Sequence, residues 1–435
     1  MSPTQSPRVV VLGLDGLSLS QARYISKSFD LPNLSHLVDS SSCREIEAEI
    51  PALSPVNWTS LYTAAGPEEH GIFGFTEIDP LSYEITIVNS SMVKKRWIFH
   101  EISTYPGVIS KIINLPNTYP AHPLKGILIA GFIAPDLKRA VYPPPILPLL
   151  KDINYLLETD TTRGRRDPDY LFTSLSASLE SRKRALEMFW GDLAWNVFIL
   201  VLTETDRLNH FFFTSTCDPS DVHHEMCRDF FIMWDRLIGE VLERFSALPS
   251  PKKLMVVADH GFCSLKTEVD LNVYLKEMGL LRVSSSPSHE LDASVIQPET
   301  RAFSLDGGRI YIHDKRFSRG HLTPADKKIL CRELITDLKD LVFKGKRVFE
   351  DVVEGEELYP GCDLDNRPDI VCIPTRGIDV RAKFDTTSLF SSGERTGCHT
   401  HRDVFFYHQG IQSEINRLRD VGREILTTFK DKILL

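Results

Sequence analysis

The amino-acid sequence predicts an α/β protein: a doubly wound, mostly parallel sheet flanked by helices, with insertions that form lids or caps. Three observations predict it. Apolar runs at 8–14, 195–205 and 253–258 read as buried strands. Each is followed at once by an acidic residue. Helical patterns such as 175–189 and 225–245 lie between the runs, and strands alternating with helices build a parallel sheet.

The bulk numbers are those of a folded enzyme-sized protein, with 435 residues, 42% hydrophobic and 25% charged. A formal net charge of -9 argues against binding a nucleic-acid polymer, which demands a surplus of Lys and Arg. A small anion can still bind where metal ions supply local positive charge. The eight cysteines show no C-x-x-C spacing and are too sparse for a disulfide framework, so they read as reduced thiols. No stretch reaches the roughly 18 apolar residues of a membrane span. The short polar start at 1–7 lacks the charged and apolar regions of a signal peptide. The expected address is cytoplasmic.

Taken in order, the first strand ends at Asp15-Gly16, at the carboxyl edge where ligands bind in open α/β sheets. Ser54-Pro55 opens a helix, with Ser54 expected at the N-cap and Pro55 at the first helical position. A hydroxyl there also faces backbone N–H groups and the positive end of the helix, where a phosphate would sit. The interval 117–148, rich in Pro and Gly, reads as a surface excursion or lid, and so does the polar stretch 284–300.

The run 195–205 leads into Asp206 and His210, four residues apart at a helix start, so that both side chains project from one face. Taken alone, the pair reads as an acidic helix start with an incidental histidine. Asp259-His260-Gly261 follows the third strand, and Gly261 would allow a sharp turn there. Recurrence changes the balance. Burying Asp15, Asp206 and Asp259 together at one sheet edge would be very costly without cations. Near the C-terminus His399 and His401 share a face if the backbone is extended, and either could complete the ligand set.

The ordered set GLDG at 13–16, SPVN at 54–57, DRLNH at 206–210, DHG at 259–261 and GCHT at 397–400 resembles the alkaline phosphatase superfamily. More narrowly, it resembles the type I phosphodiesterase/nucleotide pyrophosphatase family, whose nucleophile segment is similar to NWTSLYT followed by P-x-x-HGI. The resemblance implies one catalytic domain over 1–435, with surface or lid insertions within 117–148 and 284–390. It implies Ser54 as nucleophile and Asn57 as a ligand of a phosphoryl oxygen. Asp15, Ser54, Asp259 and His260 would hold one divalent cation, and Asp206, His210 and His399 a second. The family's G-x-H step selects His399 over His401, while His70 in the HGI step reads as structural.

Zinc is the first choice for such His, Asp and Ser ligands, with manganese as the alternative. The substrate implied is a small phosphoester or nucleotide-like molecule, cleaved through a phosphoserine. A phosphomonoesterase, a phosphomutase or a non-catalytic metal-stabilised binding protein are the competing readings. Sulfatase is disfavoured, because Cys-x-Pro-x-Arg is absent around Ser54. The resemblance identifies no Arg placed to hold a phosphate monoester.

Overall fold

A computed structural model describes residues 6–164, 166–284 and 287–430. Residues 1–5 of the polar start and residues 285 and 286 of the polar stretch 284–300 lie outside the described residues. The chain forms two compact units. One comprises residues 1–66, 89–264 and 394–435, and the other residues 67–88 and 265–393.

The first unit is built on an eight-stranded sheet. Its strands are β1 (Arg8–Leu14), β2 (Cys43–Ile46), β3 (Ser110–Leu115), β4 (Gly126–Ala130), β5 (Val141–Tyr142), β6 (Val197–Leu202), β7 (Lys252–Val257) and, after a separate strand β8 (Gly261–Ser264) and its partner β9 (Gly397–Thr400), β10 (Val404–Gln409). The order across the sheet is β2-β10-β7-β1-β6-β3-β4-β5. The five central strands, β7 to β4, run parallel, and the outer pairings are antiparallel. β6, Val-Phe-Ile-Leu-Val-Leu, is buried at every position, as expected of a central parallel strand covered on both faces. The predicted mostly parallel α/β sheet is therefore present.

Four helices matter below: α1 (Ser54–Thr63), α2 (Pro168–Trp190), α3 (Glu204–Cys217) and α4 (His224–Ser246). α2 and α4 contain the predicted helical runs and extend a little beyond them. The predicted strand 195–205 is shorter than expected, because Thr203 already caps α3 and Glu204 opens it. The Pro- and Gly-rich interval 117–148 supplies β4 and β5 to the sheet edge, where a short antiparallel strand ends the parallel array. Among the described residues no helix is long and apolar enough to cross a membrane, and no disulfide is formed.

The second unit has its own apolar core, which includes Phe303, Ile310, Leu334 and Ile370. A four-stranded sheet lies within it, ordered Ala302–Leu305, Arg309–Ile312, Ile370–Pro374 and Phe349–Glu354. His70 belongs to this unit; it is fully buried and its Nδ1 accepts a hydrogen bond from the Ile72 amide.

Candidate metal centre

All seven residues expected to hold metal ions lie in the first unit, although they come from widely separated stretches of chain. Asp15 follows β1 directly. Asp206 is in the first turn of α3 and His210 one turn on. Asp259 and His260 follow β7, and His399 sits on β9 in register with Phe262 of β8. His401 lies just past β9.

Two expectations need correction. Ser54 is not the N-cap of α1, because that position belongs to Leu53, and Ser54 is already helical. Its hydroxyl therefore does not cap the helix. It lies 3.2 Å from His260 Nε2 and 3.5 Å from Asp15 Oδ1. The first-turn donors are also reduced, since Pro55 has no N–H while Val56 and Asn57 donate to the Leu53 carbonyl. Nor does Gly261 make a turn through a positive φ. It begins β8, and a Cβ there would stand 2.4 Å from Thr400 Oγ1 and 2.5 Å from the Arg402 carbonyl. Close approach of two backbones is the reason for the glycine.

Three side-chain atoms face one point. Asp206 Oδ1 is 3.4 Å from His210 Nε2 and 3.2 Å from His399 Nε2, and the two imidazole nitrogens are 3.1 Å apart. A tetrahedral zinc with bonds of 2.0 to 2.1 Å has ligand-to-ligand edges of about 3.3 Å. The triangle fits that edge. His260 Nε2 faces a second group, at 3.3 Å from Asp259 Oδ2, 3.2 Å from Ser54 Oγ and 4.0 Å from Asp15 Oδ1. It is also 3.8 Å from Asp206 Oδ1, and its ring stacks on His399 at 3.6 Å between centroids. Asp206, His260 and His399 thus form an alternative triad. The shorter distances to His210 make it the better partner for Asp206 and His399.

The imidazoles are prepared as ligands. His399 Nδ1 donates to the Ala52 carbonyl and His260 Nδ1 to that of Gly261, which leaves each Nε2 with its lone pair. Burial holds both His210 and His260 well below the usual imidazole range.

The carboxylates share one arrangement. Asp15 Oδ2 accepts from Trp58 Nε1 at 2.9 Å, Asp259 Oδ1 from the Gly16 amide at 3.1 Å, and Asp206 Oδ2 from Arg207 Nη1 at 2.6 Å. In each, one oxygen is tied to protein and the other faces the centre. Asp206 Oδ1 and Asp259 Oδ2 are buried without a well-formed hydrogen bond. Unpaired buried carboxylate oxygens are what a divalent cation would satisfy.

The electrostatics agree. Burial, followed by the charge of Asp206, raises Asp259 to about 7. Burial and the same acidic neighbours raise Asp15 well above the usual carboxylate range. Burial opposes ionisation of Asp206 too, yet His210, His399 and Arg207 hold it well below.

Asn57 is fully buried, with its Oδ1 accepting from the Glu49 amide and its Nδ2 donating to the Leu53 carbonyl. One amide proton is left for another acceptor. Sequence reasoning missed Trp58 and Arg207. Trp58 is four residues beyond Ser54 on α1, which places both on one helix face, and Arg207 stands beside Asp206.

Comparison with known proteins gives a consistent picture. The family model described as type I phosphodiesterase / nucleotide pyrophosphatase matches residues 9–402. No curated protein sequence matches. Among solved structures, the chain is similar to phosphonoacetate hydrolase from Sinorhizobium meliloti in complex with phosphonoacetate, at 15% identity and TM-score 0.64, covering 98% of this chain and 96% of that one. It is similar to murine ectonucleotide pyrophosphatase/phosphodiesterase 5, in an inactive form with AMP, at 12% identity and TM-score 0.58 over 98% and 95%. It is also similar to the alkaline phosphatase PafA, at 12% identity and TM-score 0.61 over 99% and 97%.

Proposed function

The chain belongs to the type I phosphodiesterase/nucleotide pyrophosphatase family, and from that premise we propose that it is a two-metal phosphoester hydrolase acting through a phosphoserine at Ser54. Phosphodiesters or pyrophosphate linkages are its substrates in this reading. The observation that carries it is the uncapped Ser54 hydroxyl, aimed into a cluster whose buried oxygens and nitrogens have the spacing of cation ligands.

Asp206, His210 and His399 would hold one cation, and Asp15, Ser54, Asp259 and His260 the other. Zinc suits the nitrogen and oxygen donors and the 3.1 to 3.4 Å edges, and manganese is the alternative. When bound, the pair would neutralise the buried carboxylates and charge developing on the attacking and leaving oxygens.

The chain's own residues then account for the rest. Ser54 Oγ attacks phosphorus and forms the Oγ–P bond as the bond to the leaving alcohol or phosphate breaks, and the proton given up by the serine is taken up by the departing oxygen. Water next attacks the phosphoserine, and Oγ leaves with its proton restored. Asn57 is held rigidly at both ends of its amide and would give its remaining N–H to a phosphoryl oxygen. The nearby Arg207 favours a monoanionic diester, because its guanidinium is committed to Glu158 and Asp206 and does not meet a second substrate charge. The structural neighbours hold AMP and phosphonoacetate, which are small phosphorus-bearing anions of the class proposed here.

One observation favours a second reading, that of a phosphomonoesterase or phosphomutase. Arg395 immediately precedes Thr396, whose amide donates to the His210 carbonyl at 2.8 Å, which sets a cation near the site such as a dianionic monoester would require.

A panel of chromogenic phosphate mono- and diesters with zinc or manganese distinguishes the two, since free phosphate, released alcohol and isomerised product are separately measurable. With a diester chiral at phosphorus, two in-line displacements retain configuration. Ser54→Ala should fold and lose turnover by several orders of magnitude. Net inversion, or near-normal activity of Ser54→Ala, overturns the phosphoserine pathway.

A further inference from the structure

Of the three donors that tie the site's carboxylates to the protein, two are neutral and one is a cation. Trp58 and the Gly16 amide serve Asp15 and Asp259, whereas Arg207 serves Asp206. Arg207 is itself held on two further sides. Its Nε and Nη2 make a bidentate pair with Glu158 at 3.0 and 3.1 Å, and its guanidinium carbon lies 4.0 Å from the centre of the Phe132 ring. Planarity lets one guanidinium make all these contacts at once, and a lysine could not reproduce them.

Asp206 is where such restraint has most effect. It is the one carboxylate in the triangle with His210 and His399, yet its Oδ1 also lies 3.8 Å from His260 Nε2 in the neighbouring group. With both oxygens open, this carboxylate could chelate one cation with two atoms or swing between the two positions. Fixing Oδ2 on Arg207 leaves Oδ1 as its single ligand atom, directed at the triangle.

We propose that Arg207, braced by Glu158, is the positioning residue that makes Asp206 a one-oxygen ligand of the cation shared with His210 and His399. The inference rests on the two-metal reading above. Two effects oppose each other in it. A positive guanidinium repels an incoming cation, while a fixed carboxylate favours one. Glu158 neutralises the guanidinium at close range, so orientation is the larger effect, and losing Arg207 should weaken cation binding.

The experiment is a zinc titration against a chromophoric chelator with the full-length wild type, Arg207→Met, Glu158→Gln and the double variant, each checked for folding by circular dichroism. The wild type should take up two zinc ions. Arg207→Met should lose about 10- to 100-fold in affinity at one site, the usual range for removing a partner of a metal ligand. The other site should change less than about threefold on the same scale. Glu158→Gln should weaken the same site by a smaller factor and add nothing in the Arg207→Met background. At saturating zinc, KM for a diester should stay within about twofold while kcat falls, the pattern of lost positioning rather than lost substrate contact. If Arg207→Met does not fold, Glu158→Gln carries the test through its selective effect on one site.

Wild-type affinity at both sites in Arg207→Met, equal loss at both, tighter binding, or additive effects in the double variant would each overturn the positioning role. A wild type that takes up no zinc or manganese defeats the two-metal reading beneath it. A wild type that takes up two ions, with Arg207→Met matching it, defeats this inference alone.

Discussion

Replacing Gly16 with alanine tests how tightly the turn after β1 is matched to α3. Gly16 has φ +67°, and a left-handed non-glycine residue costs roughly 1 to 2 kcal/mol. The added Cβ would also lie 2.9 Å from Asp206 Cβ, 3.0 Å from its Cα and 3.1 Å from its Oδ1. Carbon atoms prefer about 3.5 to 4.0 Å, so Asp206 must retreat by several tenths of an ångström. Retreat is resisted, because Asn209 on the same helix donates to the Gly16 carbonyl and pairs reciprocally with Gln21. Such overpacking costs about 1 to 3 kcal/mol, which brings the whole loss to roughly 2 to 5. Gly107→Ala is the control. Gly107 has φ +78° and nothing lies within 4 Å of the place its Cβ would take, so it carries the backbone cost alone. Urea unfolding of the metal-free proteins should show Gly16→Ala less stable than Gly107→Ala by about 1 to 3 kcal/mol. Zinc titration should show one site weakened in Gly16→Ala and both intact in Gly107→Ala. Equal destabilisation, with normal zinc binding in both, would refute the reasoning.

Three further outcomes follow from the same geometry. His399→Ala should lose one cation and most activity, whereas His401→Ala, just past β9, should lose less; elemental analysis and turnover check the order, and the reverse ranking would move the ligand by two residues. In the metal-free protein, burial raises Asp259 to about 7 from an unfolded value near 4. Its folded pKa is the higher one, so its stabilising contribution is full below about pH 4 and lost as pH rises through about 7. Metal-free wild type should therefore melt lower at pH 8 than at pH 5, Asp259→Asn should flatten that difference, and an unchanged slope in the variant would place the effect on another group. Trp58→Phe removes the donor to Asp15 Oδ2 while keeping the ring, and should cost about 1 to 3 kcal/mol in the metal-free protein; a neutral result by calorimetry would show that water replaces the indole.

How far the sequence could be read depended on the range of the interactions. β1, β6 and β7 are continuous apolar runs whose character does not depend on context, and the acids after them followed from the strand ends. The helix pattern of α2 and α4 was equally plain. The role of Ser54 was harder, because Ser-Pro suits an N-cap and a first-turn position alike, and only the fold shows the hydroxyl turned from the helix towards His260. The Pro-rich interval 117–148 concealed β4 and the edge strand β5, since strands this short carry little periodicity. Arg207 was in plain view beside Asp206, but its partner Glu158 is distant in sequence, and no local pattern reports such a pair.

The sheet order also says when the site can come into being. β1 lies near the middle of the sheet, with Val11 paired to Ile199 on one side and Met255 on the other. Asp15 therefore waits until residues 197–202 are made before its strand has a first neighbour and until 252–257 before it has the second, and His399 arrives later still on a strand paired with β8. Pairings of such long range are slow to form and leave apolar strands exposed in the interval. On a ribosome, Asp15 and the helix that carries Ser54 would emerge well before Asp206, Asp259 and the imidazoles of the cluster. Assembly of the centre is in that sense a late checkpoint: a chain truncated before residue 397 would keep Ser54, Asp15, Asp206 and Asp259 yet lack β9 and the partner β10 that closes the sheet against β7.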